Sequence, residues 1–353
     1  MKFVPFILKL WLLLPGALTA ADSPEKLLDE GHVKRAKSVV DSLLKANAND
    51  ARALWLQARI NLAYGQPGDA MPLAQRAAAI DPKSAEYHAT YADAICSTIE
   101  SASVFRQPGL AKDCKKEADA ALAINPKHLD ALETQTQFYL QAPSLMGGDK
   151  TKAEANLKLL EQVEPSFAYQ LRARLPLKDK DPEVWLTKAI TANPASYTAR
   201  IGLARHYLQP AQKKYDLAEK QAREAVRIDS SRGSGYAVLA RAVALQGRVA
   251  DLDGLLEQAA RSAPDDRVAF YSAANGLLEI GKDLTRSEGW FLKYLTQEPE
   301  AGTPSLAVAR WRLGLTLEKL GRRKEAAEQL QAAFKSAPAN SQIKADWKRL
   351  QRP

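Results

Sequence analysis

The sequence predicts an all-α fold: an α-solenoid, a superhelix of antiparallel helix-turn-helix units stacked side by side. Three observations predict it. First, one layout recurs. Gly233 to Pro264 carries Leu239, Ala240 and Val243, then Gly247, then Leu256, Ala259 and Pro264, and Ala307 to Pro338 carries Leu313, Gly314 and Leu317, then Gly321, then Ala326, Leu330, Ala333 and Pro338. Second, the apolar residues within each unit keep the three-or-four spacing of one helical face. Third, the chain is rich in alanine and leucine and only 7% aromatic, a composition that favours helix throughout.

Residues 1–21 are different material. Lys2 precedes a mostly apolar run from Phe3 to Leu14, interrupted by Lys9; Pro15-Gly16 breaks it, and Thr19-Ala20-Ala21 offers small residues for cleavage. That is the layout of a secretory signal peptide. The run is shorter than the ~20 residues of a spanning helix, so cleavage is expected; an uncleaved anchor is the alternative. No cysteine lies near the cleavage site, which argues against a lipoprotein. The formal charge is +9, and loss of Lys2 and Lys9 would leave +7. The basic residues are scattered along helix faces, where nucleic-acid binding wants a basic stripe with interleaved aromatic residues; with export expected as well, nucleic acid is not the expected partner.

Residues 22–50 read as a worn first repeat, with Ser23 as a helix cap, Pro24 at the first position and Gly31 turning the chain. Residues 51–194 hold further repeats. Ala51 to Pro82 has small packing residues: Ala58, Gly65, Ala70, Ala74 and Ala77. Ala85 to Pro126 is longer, its surplus falling in a loop at 97–113 where Pro108-Gly109 marks a turn. Leu129 to Pro165 carries a second inserted loop at 142–150, with Pro143 stopping a helix, Gly147-Gly148 reversing the chain and Thr151…Glu154 read as a capping box. The unit 166–194 is weakest, because Pro176 and Lys178–Pro182 interrupt it, and is expected to act as a flexible joint. Residues 195–338 resume the array cleanly. Residues 339–353 form a polar helix with Ile343, Trp347 and Leu350 on one face, suited to capping the last apolar edge.

Leu313-Gly314, Leu317, Ala326, Leu330, Ala333 and Pro338 follow the tetratricopeptide (TPR) pattern of ~34 residues, and the chain resembles that family. Arg310 stands where the family prefers Trp, with Trp311 one position late. In this pattern Gly314 and Ala326 let two backbones approach while the leucines fill the space beside them. The loop Pro143…Gly147-Gly148 also resembles one found in some exported bacterial TPR-like proteins.

The resemblance implies that first helices line a concave groove, with the second, fifth and ninth positions of each repeat facing inward. These supply Arg52, Trp55 and Arg59, then Arg205 and Arg241, then Tyr271 and Asn275, then Trp311 and Arg312. An arginine-and-aromatic lining suits a protein or peptide with acidic groups, since Arg grips carboxylates bidentately; the alternative is that these arginines solvate exposed helix faces. Trp55 and Arg59 stand where the carboxylate clamp of chaperone-binding TPR domains needs Lys and Asn, so a chaperone-tail adaptor is unsupported.

No enzyme is expected. His32, His88, His128 and His206 lack partners at metal-ligand spacing, and no phosphate loop or nucleophile elbow occurs. No metal or cofactor is expected either. Cys96 and Cys114 flank the first inserted loop. Export would oxidise them to a bridge closing about 18 residues, worth about 3 kcal/mol in the chain-entropy model; two buried thiols are the alternative. The function these readings favour is a non-enzymatic interaction scaffold of the periplasm or cell envelope. An envelope transport or export accessory that captures a small or polymeric ligand with the two loops is the alternative.

Overall fold

The computed structural model describes residues 23–177 and 181–351. The leader 1–21 and Lys178–Lys180 of the interrupted unit lie outside the described residues. Among those described are nineteen α-helices and no strand, an all-α solenoid. Nine helical hairpins follow in order: α1 (Pro24–Asp29) with α2 (Val33–Ala46), α3 (Ala51–Ala63) with α4 (Pro67–Ile80), α5 (Ala85–Thr98) with α6 (Gln107–Ile124), α7 (Leu129–Gln141) with α8 (Lys150–Val163), α9 (Pro165–Arg174) with α10 (Pro182–Ala192), α11 (Tyr197–Tyr207) with α12 (Tyr215–Ile228), α13 (Gly233–Leu245) with α14 (Leu252–Ser262), α15 (Val268–Ile280) with α16 (Leu284–Tyr294), and α17 (Leu306–Lys319) with α18 (Arg323–Ser336). Helix α19 (Ser341–Leu350) follows the last pair.

Local chemistry fixes these boundaries. Asp50, Ser84, Ser196, Ser305 and Asn340 each accept a backbone N–H of the first turn of the helix they precede. Gly321, at φ +79°, ends α17; its N–H donates to Glu318 and that of Arg322 to Leu317, closing two carbonyls the helix leaves free. Inside the last hairpin a methyl group at Gly314 would lie 2.9 Å from Leu330 Cγ and 3.2 Å from the Ala326 carbonyl oxygen. Leu313, Leu317, Ala326 and Leu330 beside it are fully buried.

Two local readings need correction. Pro108-Gly109 does not turn the chain but lies in the first turn of α6, where proline costs no hydrogen bond because that N–H has no helical partner. The surplus therefore lengthens α6 to 18 residues and leaves only residues 99–106 between the helices. The cap of α8 is Asp149, which accepts from Thr151 and Lys152, not Thr151. Glu154, the other half of the expected capping box, pairs with Arg172 of α9.

The two helices of the interrupted unit pack on each other. Tyr169 of α9 stacks on Trp185 of α10 at 5.8 Å. At the far end, α19 buries Ile343 and Leu350, stacks Trp347 on Phe334 at 4.3 Å, and accepts the Trp311 indole N–H on Asp346 at 2.8 Å.

The superhelix also closes on itself. The N-terminal hairpin α1–α2 lies against inter-repeat turns of the C-terminal half. The Lys34 backbone N–H donates to Glu300 Oε1 at 3.1 Å, its ammonium reaches the Glu298 and Asp265 carbonyls, and Arg35 pairs with Asp265. His32 Nε2 is 3.1 Å from Ser231 Oγ, and Ala301 joins the apolar cluster of Val33, Val40, Leu56 and Ile60.

Candidate functional site

A cavity of about 920 Å³ opens on the concave face of the N-terminal half. First helices α3, α5 and α7 form its floor, and both inserted loops form its walls: Ile99, Glu100 and Val104 from one, Ala142, Pro143 and Met146 from the other. Cys96 Sγ and Cys114 Sγ are bonded at the root of the first loop. In the second, residues 144–146 make one 3₁₀ turn, and the Asp149 N–H returns to the Tyr139 carbonyl at 2.9 Å. Each loop is thus anchored at its base while its tip is exposed.

The charge of this cavity is the reverse of the protein's. Its lining includes four carboxylates, Asp93, Glu100, Asp130 and Glu133, and one cation, Arg59. Arg59 is already paired with Asp29 at 2.7 Å and lies over the Trp55 ring at 5.1 Å. Asp93 accepts only from Ser97 Oγ at 3.1 Å, and Asp130 has no hydrogen bond or ion pair among the described residues. Glu133 accepts from Gln137 and, at 3.2 Å, from the exposed Arg174. Concavity explains the titration of these groups. Water reaches Asp93, but protein surrounds most of it, so burial raises the Asp93 and Glu133 carboxyls above the ordinary range, and the charge of Asp130 adds to both shifts.

The expected arginine-and-aromatic groove does not assemble as one surface. Arg52 is bound bidentately by Glu25, at 2.6 and 2.7 Å, and Trp55 donates to Thr90 at 2.8 Å. Arg241 pairs with Glu279 at 2.8 Å. Tyr271, Asn275 and Trp311 are buried, Tyr271 against Phe291 and Tyr294, and Arg312 lies over Trp311 at 4.2 Å. Side chains at these positions in the C-terminal half face the neighbouring helix because its first helices pack more closely, as the burial of nearly all of α13 and α15 shows. Arg205 alone is exposed with no ion pair among the described residues. Arg205 and Arg241 line a second cavity of about 570 Å³, together with Arg232, Asp266 and Glu300, closed on one side by Glu30 and Gly31 of the N-terminal hairpin.

The carboxylates of the larger cavity were within reach of the same positional count. The ninth residue from Ala85 is Asp93, and the second, fifth and ninth from Leu129 are Asp130, Glu133 and Gln137. All four line the cavity. The signal lay in reading every repeat rather than those that carry arginine.

The class of protein defined by this fold and cavity is an α-solenoid of stacked helical hairpins with a ligand-sized cleft on its concave face. Residues 27–94 match the family model described as Tetratricopeptide repeat, which supports a tetratricopeptide repeat protein. Solved structures to which the chain is similar include TTC0263, a thermophilic TPR protein of Thermus thermophilus, at 20% identity over 62% of this chain and 95% of that one, TM-score 0.35. Yeast Tom70 is 14% identical over 93% of this chain and 80% of its own, TM-score 0.47. A tetratricopeptide repeat protein of Parabacteroides merdae is 13% identical over 86% and 99%, TM-score 0.43. No curated protein matches the chain.

Proposed function

We propose that this chain is an exported, non-enzymatic interaction scaffold that holds a protein or peptide segment in the concave cavity of its N-terminal half. The observation that carries the reading is the convergence of both inserted loops on one cavity of about 920 Å³. Loops inserted at the turns of a regular array cost conformational entropy without adding to the stacked core. Here they wall a cleft of the size that ligand sites have, and each is held at its base. Export is supported by the leader-like residues 1–21 and by the Cys96–Cys114 bond, a linkage that persists in oxidising compartments. Among the described residues no helix is long and apolar enough to cross a membrane, and no group of metal-ligating side chains occurs.

The test uses residues 22–353 as bait in a native envelope extract, with bound proteins identified by mass spectrometry. Two variants accompany it: Phe105→Ser with Leu145→Ser at the loop tips, and Arg205→Glu with Arg241→Glu at the second cavity. A stoichiometric partner lost with the first variant and kept with the second supports this reading. A partner kept with the first variant overturns it. Fractionation of the tagged full chain tests export, which fails if the protein stays with cytoplasmic markers and Cys96 is alkylated without reduction. Capture of a small or polymeric ligand is the second reading, favoured by the same two loops, and it gains if the bait retains a non-protein ligand in place of a polypeptide.

A further inference from the structure

We infer that the occupant of the concave cavity is a cationic peptide segment whose Lys or Arg residues alternate with apolar ones; this rests on the reading above and names its ligand. Three features combine. The floor presents Asp93 from α5 and Asp130 and Glu133 from α7, with Glu100 at the wall. Asp130 has no partner among the described residues and Asp93 only a hydroxyl, so a concave surface holds negative charge that the protein itself leaves largely uncompensated. The rim is apolar: Val104 and Met146 line the cavity, and beside them in the chain Phe105 and Leu145 are 97% and 99% exposed, the two most exposed large apolar side chains among the described residues. Finally, the charge is local. The chain as a whole is basic, at +9, whereas the lining of this cavity carries four carboxylates and one cation.

Each feature narrows the ligand. Carboxylates gathered on one concave surface favour ammonium or guanidinium groups and disfavour phosphates, carboxylates and nucleic acid. Apolar loop residues beside the charged floor select a ligand with apolar side chains next to its charges. Burial raises the Asp93 and Glu133 carboxyls, so keeping them ionised costs free energy that a bound cation returns. A floor of two adjacent first helices and a volume near the upper end of the ligand-pocket range fit a polypeptide segment better than a lone amine. An anionic membrane surface would be repelled by the same carboxylates.

A random short-peptide library displayed on phage, selected against residues 22–353, supplies the probe. Three baits run in parallel: wild type, Asp93→Asn with Asp130→Asn and Glu133→Gln, and Phe105→Ser with Leu145→Ser. Circular dichroism confirms that helix is retained in each. The expected result is enrichment of peptides combining Lys or Arg with apolar residues. Synthetic versions should bind wild type at least tenfold more tightly than either variant, and weaken with added salt less steeply on the amide variant. Acidic or neutral winners, winners indifferent to the amide variant, or no winners overturn the inference. Winners lost with the loop-tip variant but kept with the amides leave the cavity as the binding site and remove only the charge assignment. Winners indifferent to both remove the cavity reading as well.

Discussion

A methyl group added at Gly276 would lie 2.6 Å from Ala244 Cβ, a contact that no rotation relieves because Ala244 is itself a buried methyl group on a neighbouring helix. Gly276→Ala gains helix propensity of about 1 kcal/mol but must part α13 and α15, and such overpacking costs about 1–3 kcal/mol. The net expectation in urea unfolding is a loss of stability. Gly254 and Gly289 are helical and exposed, with nothing within 4 Å of the added methyl, so Gly254→Ala or Gly289→Ala should gain about 0.5–1 kcal/mol in the same assay. The cavity carboxylates set a pH dependence of definite sign. Asp93 and Glu133 titrate above their ordinary values because burial disfavours the ion; Ser97, Gln137 and Arg174 oppose that shift and Asp130 reinforces it. The folded state therefore binds these protons more tightly than the unfolded state, so the penalty is present at neutral pH and relieved as pH falls through the folded values. Asp93→Asn should be neutral or stabilising at neutral pH and should flatten the stability curve in the mildly acidic range. A loss of stability equal at both pH values would show instead that Asp93 is structurally required.

At the scale of elements, the pair α9–α10 shows what a pattern of apolar residues can and cannot reveal. Pro176 and the residues before Pro182 interrupt the helical spacing, and from sequence the unit reads as a joint. Beside the buried Ala168 and Leu171, polar contacts that have no period hold it to the neighbouring helix. Arg172, 7% exposed at its side chain, donates to Glu161 at 2.6 Å and to Glu154 at 2.7 and 3.2 Å across to α8, and lies over the Trp185 ring at 5.2 Å. Arg172→Met keeps the volume and removes these bonds; because both glutamates can rehydrate, the expected cost is about 2 kcal/mol. Hydrogen exchange should localise the loss to α8–α10, and an unchanged melting curve would mark the pair as dispensable. The hairpin α5–α6 makes the complementary case. Its two cysteines are visible in the sequence, whereas the site they support is not, because it joins two loops of different repeats. Cys96→Ala with Cys114→Ala should cost about 3 kcal/mol for a closed loop of this length. It should speed exchange at residues 99–106 before the rest of the array, and a uniform change across all nine hairpins would contradict local anchoring.

For the whole molecule, the all-α solenoid and its hairpin order were legible because each repeat carries its own stops and small-residue contacts. The course of the superhelix was not, since it accumulates from small rotations between successive repeats that no single repeat encodes. That course brings α1–α2 back onto turns more than 190 residues away in sequence. The contact is small and mostly polar. Arg35 and Asp265 are each nearly half exposed, so their pair is worth at most about 1 kcal/mol, and Ala301 supplies the apolar part. The helix-to-helix stacking that holds the array together does not pass through it. Closure is therefore a weak bond on a strong spring, and Lys34→Glu with Arg35→Glu should open it by setting two negative charges against Asp265, Glu298 and Glu300. Small-angle X-ray scattering should then show a larger radius of gyration and a longer maximum dimension, with the melting temperature nearly unchanged. High salt should move wild type part of the way in the same direction by screening the exposed pair. An unchanged scattering profile would mean that the curvature is set within the hairpins and the contact merely follows from it. The two cavities separate the cases further. The smaller is walled by Glu30 and Gly31 and should be lost on opening, whereas the larger is built from α3, α5, α7 and their loops and should bind as before.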